Sequence, residues 1–316
     1  MSAHDDLHTR TCAVTITAAD GFPLGGMRYE PSGPVRGRFV LGGATGVGQR
    51  YYRRFALHAA AKGFATLTFD YRGIGASRRG SLKGFEATYL DWGRLDLGAA
   101  VESMRTAHTA LFLIGHSFGG QAVGLLPNHD ALAGAYCFGV GAGWSGWMPK
   151  SEAWKVWLQW NVVLPSLVAL KGYMPWSLLG MGEDLPFGVY RQWRRWCGYP
   201  HYFFDDPAMT HISDVYAKVG LPLVAANAVD DPWASPKSRD AFVRAFTGAD
   251  VNRLDLHPWE PGKAIGHMGY FRADATPLWD KLLQWVEQQL ADRAETGTQR
   301  FPALAGIASN DGRSIV

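Results

Sequence analysis

The sequence predicts an α/β fold: a mostly parallel sheet covered on both faces by helices, with a helical segment inserted near the middle of the chain. Two observations carry this. Apolar runs of four to seven residues alternate with helical stretches through most of the chain, which is the pattern of parallel strands buried on both sides. The alternation also stops between about residues 144 and 219, where eight of the 13 tryptophans gather.

The elements follow in order. Ala13–Ile16 and Gly26–Tyr29 read as a hairpin whose turn is AADGFPLG. Gly37–Leu41 is a strand, Tyr51–Lys62 a helix and Ala65–Phe69 a strand. Leu90–Ala107 is helical, Ala110–Ile114 is an apolar strand, Gly119–Leu126 a short helix and Gly134–Val140 a strand. After the interruption come strand Leu223–Val229, helix Pro236–Phe246, strand Val251–Leu256 and a closing helix Pro277–Leu290. The expected division is therefore a core of residues 1–143 and 220–290, a Trp-rich helical cap at 144–219, and a poorly ordered tail at 291–316.

Composition narrows the function. The chain is 47% hydrophobic and 19% charged, so it is neither disordered nor fibrous. With 31 basic and 28 acidic residues the net charge is +3, which gives no basis for a nucleic-acid partner. Cys12, Cys137 and Cys197 are odd in number and widely spaced, pointing to a reducing compartment and no structural zinc. The N-terminus MSAHDDLHTRTC lacks an apolar core, and apolar stretches such as Val162–Leu170 fall short of the ~20 residues that cross a bilayer. The expectation is a cytoplasmic protein without a membrane segment.

The sharpest motif is Gly115-His116-Ser117-Phe118-Gly119-Gly120, placed after an apolar strand and at the start of a helix. That is the context of a nucleophile elbow. A serine on so tight a turn is driven into sparsely populated backbone angles, and glycines two positions away on either side remove the Cβ clashes. Its hydroxyl then stands at a helix N-terminus, where developing negative charge is favoured. The plain alternative is a Gly-rich turn without chemistry.

On these residues the chain resembles an α/β-hydrolase, over about residues 12–290. Asp70-Tyr71-Arg72-Gly73-Ile74-Gly75-Ala76-Ser77 and Ile265-Gly266-His267-Met268-Gly269-Tyr270-Phe271 match loops of that superfamily. Within it the chain is similar to bacterial hydrolases with a helical cap. The resemblance implies the order Ser, acid, His, with Ser117 as nucleophile and His267, in its Gly-flanked loop, as base. His257, which precedes Pro258, reads as a strand-end residue, and His116 as an ordinary polar side chain. Asp230 and Asp231 both follow the strand Leu223–Val229. Adjacent residues point apart, and Asp231, followed by Pro232, is favoured as the acid. Asp230 would then serve its own turn. The oxyanion hole takes one N–H from Phe118 and a second from Ala44 or Thr45, in a loop that reads Gly-Gly-Ala where relatives have His-Gly.

That same loop offers a rival. Gly42-x-x-x-Gly46-x-Gly48 follows a strand and precedes a helix, with Asp70 ending the next strand, as in short-chain reductases that bind a dinucleotide. Against it, no tyrosine has a lysine four residues on, and a hairpin precedes the loop. Serine at the elbow also excludes the dehalogenases and epoxide hydrolases of this fold, which carry aspartate there. The reading is a serine hydrolase needing no cofactor and no metal, acting on an apolar carboxylic ester, with thioesters and amides less favoured. Trp144, Trp147, Trp154 and Trp157 are the expected substrate contacts, and Trp154, Trp157 and Trp160 the expected stripe on one helix face. An acyltransferase with the same triad and a binding protein on an inactive scaffold are the other readings.

Overall fold

The computed structural model describes residues 9–259 and 262–296; the expected tail from 297 onward lies outside them. Eight strands form one sheet: β1 (Thr9–Thr17), β2 (Pro23–Pro31), β3 (Gly37–Gly42), β4 (Phe64–Phe69), β5 (Leu111–His116), β6 (Gly134–Phe138), β7 (Leu223–Ala228) and β8 (Val251–Leu256). Their order is β1-β2-β4-β3-β5-β6-β7-β8. The pairs β1–β2 and β2–β4 are antiparallel, and the pairs from β4–β3 onward are parallel.

Strand β5 shows why the inner strands read as continuous apolar runs. Leu111 and Leu113 enter the core on one face, Phe112 and Ile114 the core on the other. A strand covered on both sides has no solvent face to make polar. Helix α1 (Arg53–Ala61) and the closing helix, Thr276–Glu295, meet the second core through Phe55, Trp279 and Leu282. A helical run over 89–104, which we call α2, covers the first. The closing helix continues to Glu295, five residues past the expected boundary at 290, and Leu282, Leu283 and Val286 keep its inner face against the sheet.

The chain leaves β3 toward β4 on one side and returns to β5 on the other, so the C-terminal ends of β3 and β5 border a topological switch point, the crevice where open α/β sheets bind ligands. The loop after β4 is fixed below that crevice by buried charge. Arg72 donates through Nε to Asp96 at 2.7 Å and its backbone N–H to the same carboxylate at 2.9 Å, while its Nη1 meets Asp20 at 2.6 Å. Next to it, Tyr71 stacks on Trp92 and meets Phe118 edge-on. Removing one member of a buried pair strands the other charge, typically at a cost of about 3–5 kcal/mol. Asp96→Ala should therefore lower the unfolding free energy in urea by about 3 kcal/mol; a loss under about 1 kcal/mol would show that Asp20 alone suffices for Arg72.

Candidate active site

Ser117 follows β5 with φ 52° and ψ −112°, a region that L-residues occupy only under constraint. The constraint is close packing. A Cβ on Gly119 would lie 2.0 Å from the Gly42 carbonyl oxygen, and one on Gly115 2.6 Å from the Gly120 backbone. Only bare backbone lets the elbow sit this near β3. Residues Phe118–Gln121 form the short helix α3, with Ser117 at its N-cap.

Three loops at the C-terminal edge of the sheet converge here. His267 Nε2 lies 3.1 Å from Ser117 Oγ, and His267 Nδ1 lies 2.8 Å from Asp231 Oδ2. Asp231 is buried with every lone-pair direction used: Oδ1 accepts the N–H groups of Trp233 and Ala234, both at 2.9 Å, and Oδ2 accepts the Tyr270 hydroxyl at 3.0 Å besides His267. Asp230 turns the other way and accepts the N–H groups of Ile265 and Gly266 at 2.9 and 3.0 Å. It thus holds the backbone of the histidine loop rather than its own turn. His257 is exposed just beyond β8.

Of the two expected oxyanion donors near β3, Ala44 is taken: its N–H donates to the Tyr52 hydroxyl at 2.7 Å. In this structure that N–H is spent inside the protein, against the expectation of a donor facing the cavity. Thr45 lines the cavity beside Ser117, its Oγ1 paired with the Tyr89 hydroxyl. Phe118 opens α3 directly after the nucleophile position. Asp70, the acid that a dinucleotide would need free, is buried and accepts from Gln49 N–H at 2.7 Å, Gln49 Nε2 at 3.0 Å and Ala76 N–H at 2.9 Å.

Above the elbow is a cavity of about 340 Å³. Its far wall comes from the chain between β6 and β7, which includes a helical run over 150–171 (α4) and the helix Phe187–Trp196 (α5). The tryptophans lining it are Trp160, Trp176, Trp193 and Trp233. Trp193 touches both Trp160 and Trp176 edge-on, with centroids 4.9 and 5.0 Å apart. The four expected contacts lie elsewhere. Trp154 and Trp157 are 62% and 55% exposed; Trp144 packs on Trp147, whose indole donates to the Pro200 carbonyl at 2.8 Å. The reason is helical geometry. Each three-residue step turns about 300°, so Trp154, Trp157 and Trp160 fan over roughly 120° instead of sharing a face. Trp160 alone of the three falls beside the inward Val156 and Leu164. Trp233, next to the acid position, and Tyr270, three residues after His267, were not singled out from sequence.

Several seams join this wall to the elements below, two of them at the loops after β3 and β7. Glu183 N–H donates to the Gly46 carbonyl at 2.8 Å, and Trp233 Nε1 donates to Glu152 Oε1 on α4 at 2.9 Å.

Comparison with known proteins bears on the fold. The family model for serine aminopeptidase, S33, matches residues 39–163, a span that includes Ser117 but neither Asp231 nor His267. No curated protein matches the chain. Among solved structures, a soluble variant of monoglyceride lipase from Saccharomyces cerevisiae bound to a substrate analogue is 19% identical, with TM-score 0.63 over 89% of this chain and 96% of that one. An esterase from Pyrococcus furiosus is 14% identical, TM-score 0.59, covering 92% and 94%. A thioesterase domain from the curacin biosynthetic pathway is 12% identical, TM-score 0.55, covering 87% and 99%. At these identities the structural likeness establishes the fold. The chain has the α/β-hydrolase fold. No helix among the described residues is long and apolar enough to cross a membrane.

Burial pushes the Asp231 carboxyl up, but the charge and hydrogen bond of His267 and the N–H groups of Ala234 and Trp233 outweigh it, holding the group below the ordinary 3.8. The fold thus favours the ionised form, and the stability this contributes is complete above the unfolded value and lost as pH falls through the depressed one. The stability advantage of the wild type over Asp231→Asn should accordingly shrink as pH is lowered below about 4. A difference in urea unfolding that stays flat down to about pH 2 would contradict a carboxylate held ionised.

Proposed function

We propose that this protein is a cofactor-independent serine hydrolase that cleaves carboxylic esters with apolar acyl groups through an acyl-enzyme. The observation that carries the reading is the unbroken line from Asp231 Oδ2 to His267 Nδ1 at 2.8 Å and from His267 Nε2 to Ser117 Oγ at 3.1 Å, on the floor of an apolar cavity. Ser117 Oγ attacks the ester carbonyl carbon as His267 Nε2 takes its proton. Negative charge gathers on the carbonyl oxygen, where the N–H groups of Phe118 and Thr45 receive it. Asp231 holds the other ring nitrogen and stabilises the imidazolium. Collapse of the intermediate breaks the C–O bond, and His267 returns the proton to the departing alcohol. Water then enters by the same route, splits the acyl-enzyme and restores Ser117. Every proton stays among these side chains, the water and the substrate, so this chemistry needs no cofactor.

Substrate class follows from the lining. Among the described residues no Asp, Glu, Lys or Arg faces the cavity, while four tryptophans and four methionines do. An aminopeptidase must meet the ammonium of its substrate, and a buried charge without a counter-charge is costly. The apolar walls favour an uncharged acyl chain or ring, and the unbranched methionines adapt to more than one shape.

Ser117→Ala should reduce ester turnover by at least about 10³-fold without changing the melting temperature, since it removes one oxygen from a cavity floor. Mass spectrometry after fluorophosphonate treatment should show one adduct in the wild type and none in the variant; labelling that persists would refute the nucleophile. In a chain-length series of aryl esters, kcat/KM should climb with apolar length. Trp160→Ala should flatten that climb by roughly tenfold at the long end, and the outward-facing Trp157→Ala should leave it intact. The opposite pattern for these two tryptophans would mean that the cavity wall is misassigned.

A further inference from the structure

We propose that His116 is a positioning residue that couples the loop carrying the oxyanion donor to the loop carrying the base through one buried hydrogen-bond line. The proposal rests on the serine-hydrolase reading above. His116 immediately precedes Ser117 and is fully buried at the end of β5. Its Nδ1 is 3.0 Å from the Tyr52 hydroxyl, and its Nε2 is 2.9 Å from the backbone carbonyl oxygen of His267.

Donor and acceptor roles follow without choice. A carbonyl only accepts, so His116 Nε2 carries the hydrogen, and Nδ1 of the neutral ring must then accept from Tyr52. The Tyr52 oxygen in turn accepts the Ala44 N–H at 2.7 Å. The line therefore runs from Ala44 N–H to the Tyr52 oxygen, from the Tyr52 hydrogen to His116 Nδ1, and from His116 Nε2–H to the carbonyl of His267. A protonated His116 would break it at Tyr52. Burial first, and then the charge of His267, push the imidazole down to about 3, which keeps the ring neutral. Aromatic rings hem it in: Phe271, Tyr270 and Tyr52 lie with centroids 5.4, 5.7 and 5.9 Å away.

Two effects on the reaction follow. Tying up the Ala44 N–H leaves the next one, on Thr45, for the oxyanion. Holding the His267 carbonyl fixes the backbone of a residue whose ring is already held by Asp231. The base and the oxyanion donor thus share one internal anchor beneath the nucleophile.

The test measures the rate of Ser117 phosphonylation by a fluorophosphonate, together with ester kcat and KM, in the wild type, His116→Phe, His116→Gln, Tyr52→Phe and both Tyr52→Phe double variants, with melting temperatures alongside. His116→Phe keeps the ring volume and loses both bonds; it should slow phosphonylation and kcat by about tenfold to a hundredfold, with KM nearly unchanged. Tyr52→Phe should act on the same quantities. Because either change breaks the same line, the double variant should be no slower than the worse single one, rather than showing the product of the two losses. Gln at 116 can place an amide N–H near the position of Nε2, and should recover part of the rate. Independent, multiplying effects would overturn the proposal. So would a His116→Phe protein reacting at the wild-type rate, or a Gln variant no faster than Phe. If His116→Phe is unfolded at the assay temperature, His116→Gln, Tyr52→Phe and their double variant complete the same cycle. A wild type that takes no label fails the serine-hydrolase reading itself; a labelled wild type with unaffected variants fails only this proposal.

Discussion

Strain at a single residue organises this molecule. Ser117 sits at φ 52°, a conformation worth on the order of 1–3 kcal/mol of penalty for a residue with a side chain. It persists because the neighbouring backbones leave no alternative. Gly119 approaches the end of β3 so closely that one methyl group would overlap Gly42, and Gly115 is pressed as tightly against Gly120. That contact places the end of β3 and the elbow after β5 side by side at the switch in strand order, and the other loops are arranged around the point it creates.

The fold was legible because its signals are local and repeated. A strand such as β5, apolar at every position, has few other homes than the middle of a covered sheet, and the elbow needs three glycines and a serine in six consecutive residues. Asp231 is favoured over Asp230 because the Asp231-Pro232 pair resembles the family's loop after this strand, a cue that backbone alternation alone does not supply. What sequence could not supply was the occupation of individual hydrogen-bonding groups. Nothing local says that the Ala44 N–H is spent on Tyr52, or that Asp230 reaches the backbone at Ile265 and Gly266. Those bonds join residues 8 to 36 positions apart, and they exist only once the loops have met.

The tryptophans failed for a different reason. Their clustering marked the right region, but a spacing of three was treated as a face when the helix turns 100° per residue. Trp160, the last of the three, reaches the cavity; the first two point outward. A further aromatic at the cavity, Trp233, comes from the loop of Asp231 and lies 5.7 Å from the His267 ring, so part of the cavity wall is built by the same loop whose carboxylate holds His267.

Two of the seams between that wall and the loops have an evolutionary consequence. Glu183 reaches the Gly46 carbonyl with its backbone, and Trp233 reaches Glu152 on α4. The insertion is therefore no interchangeable module: exchanging it whole for one of another sequence would leave the Trp233 indole and, unless the backbone path were kept, the Gly46 carbonyl without partners, disturbing the loop after β3 and the loop of Asp231 together. New specificity is more accessible by point changes at inward positions such as Met181 and Trp193, which alter the cavity while both seams stay closed.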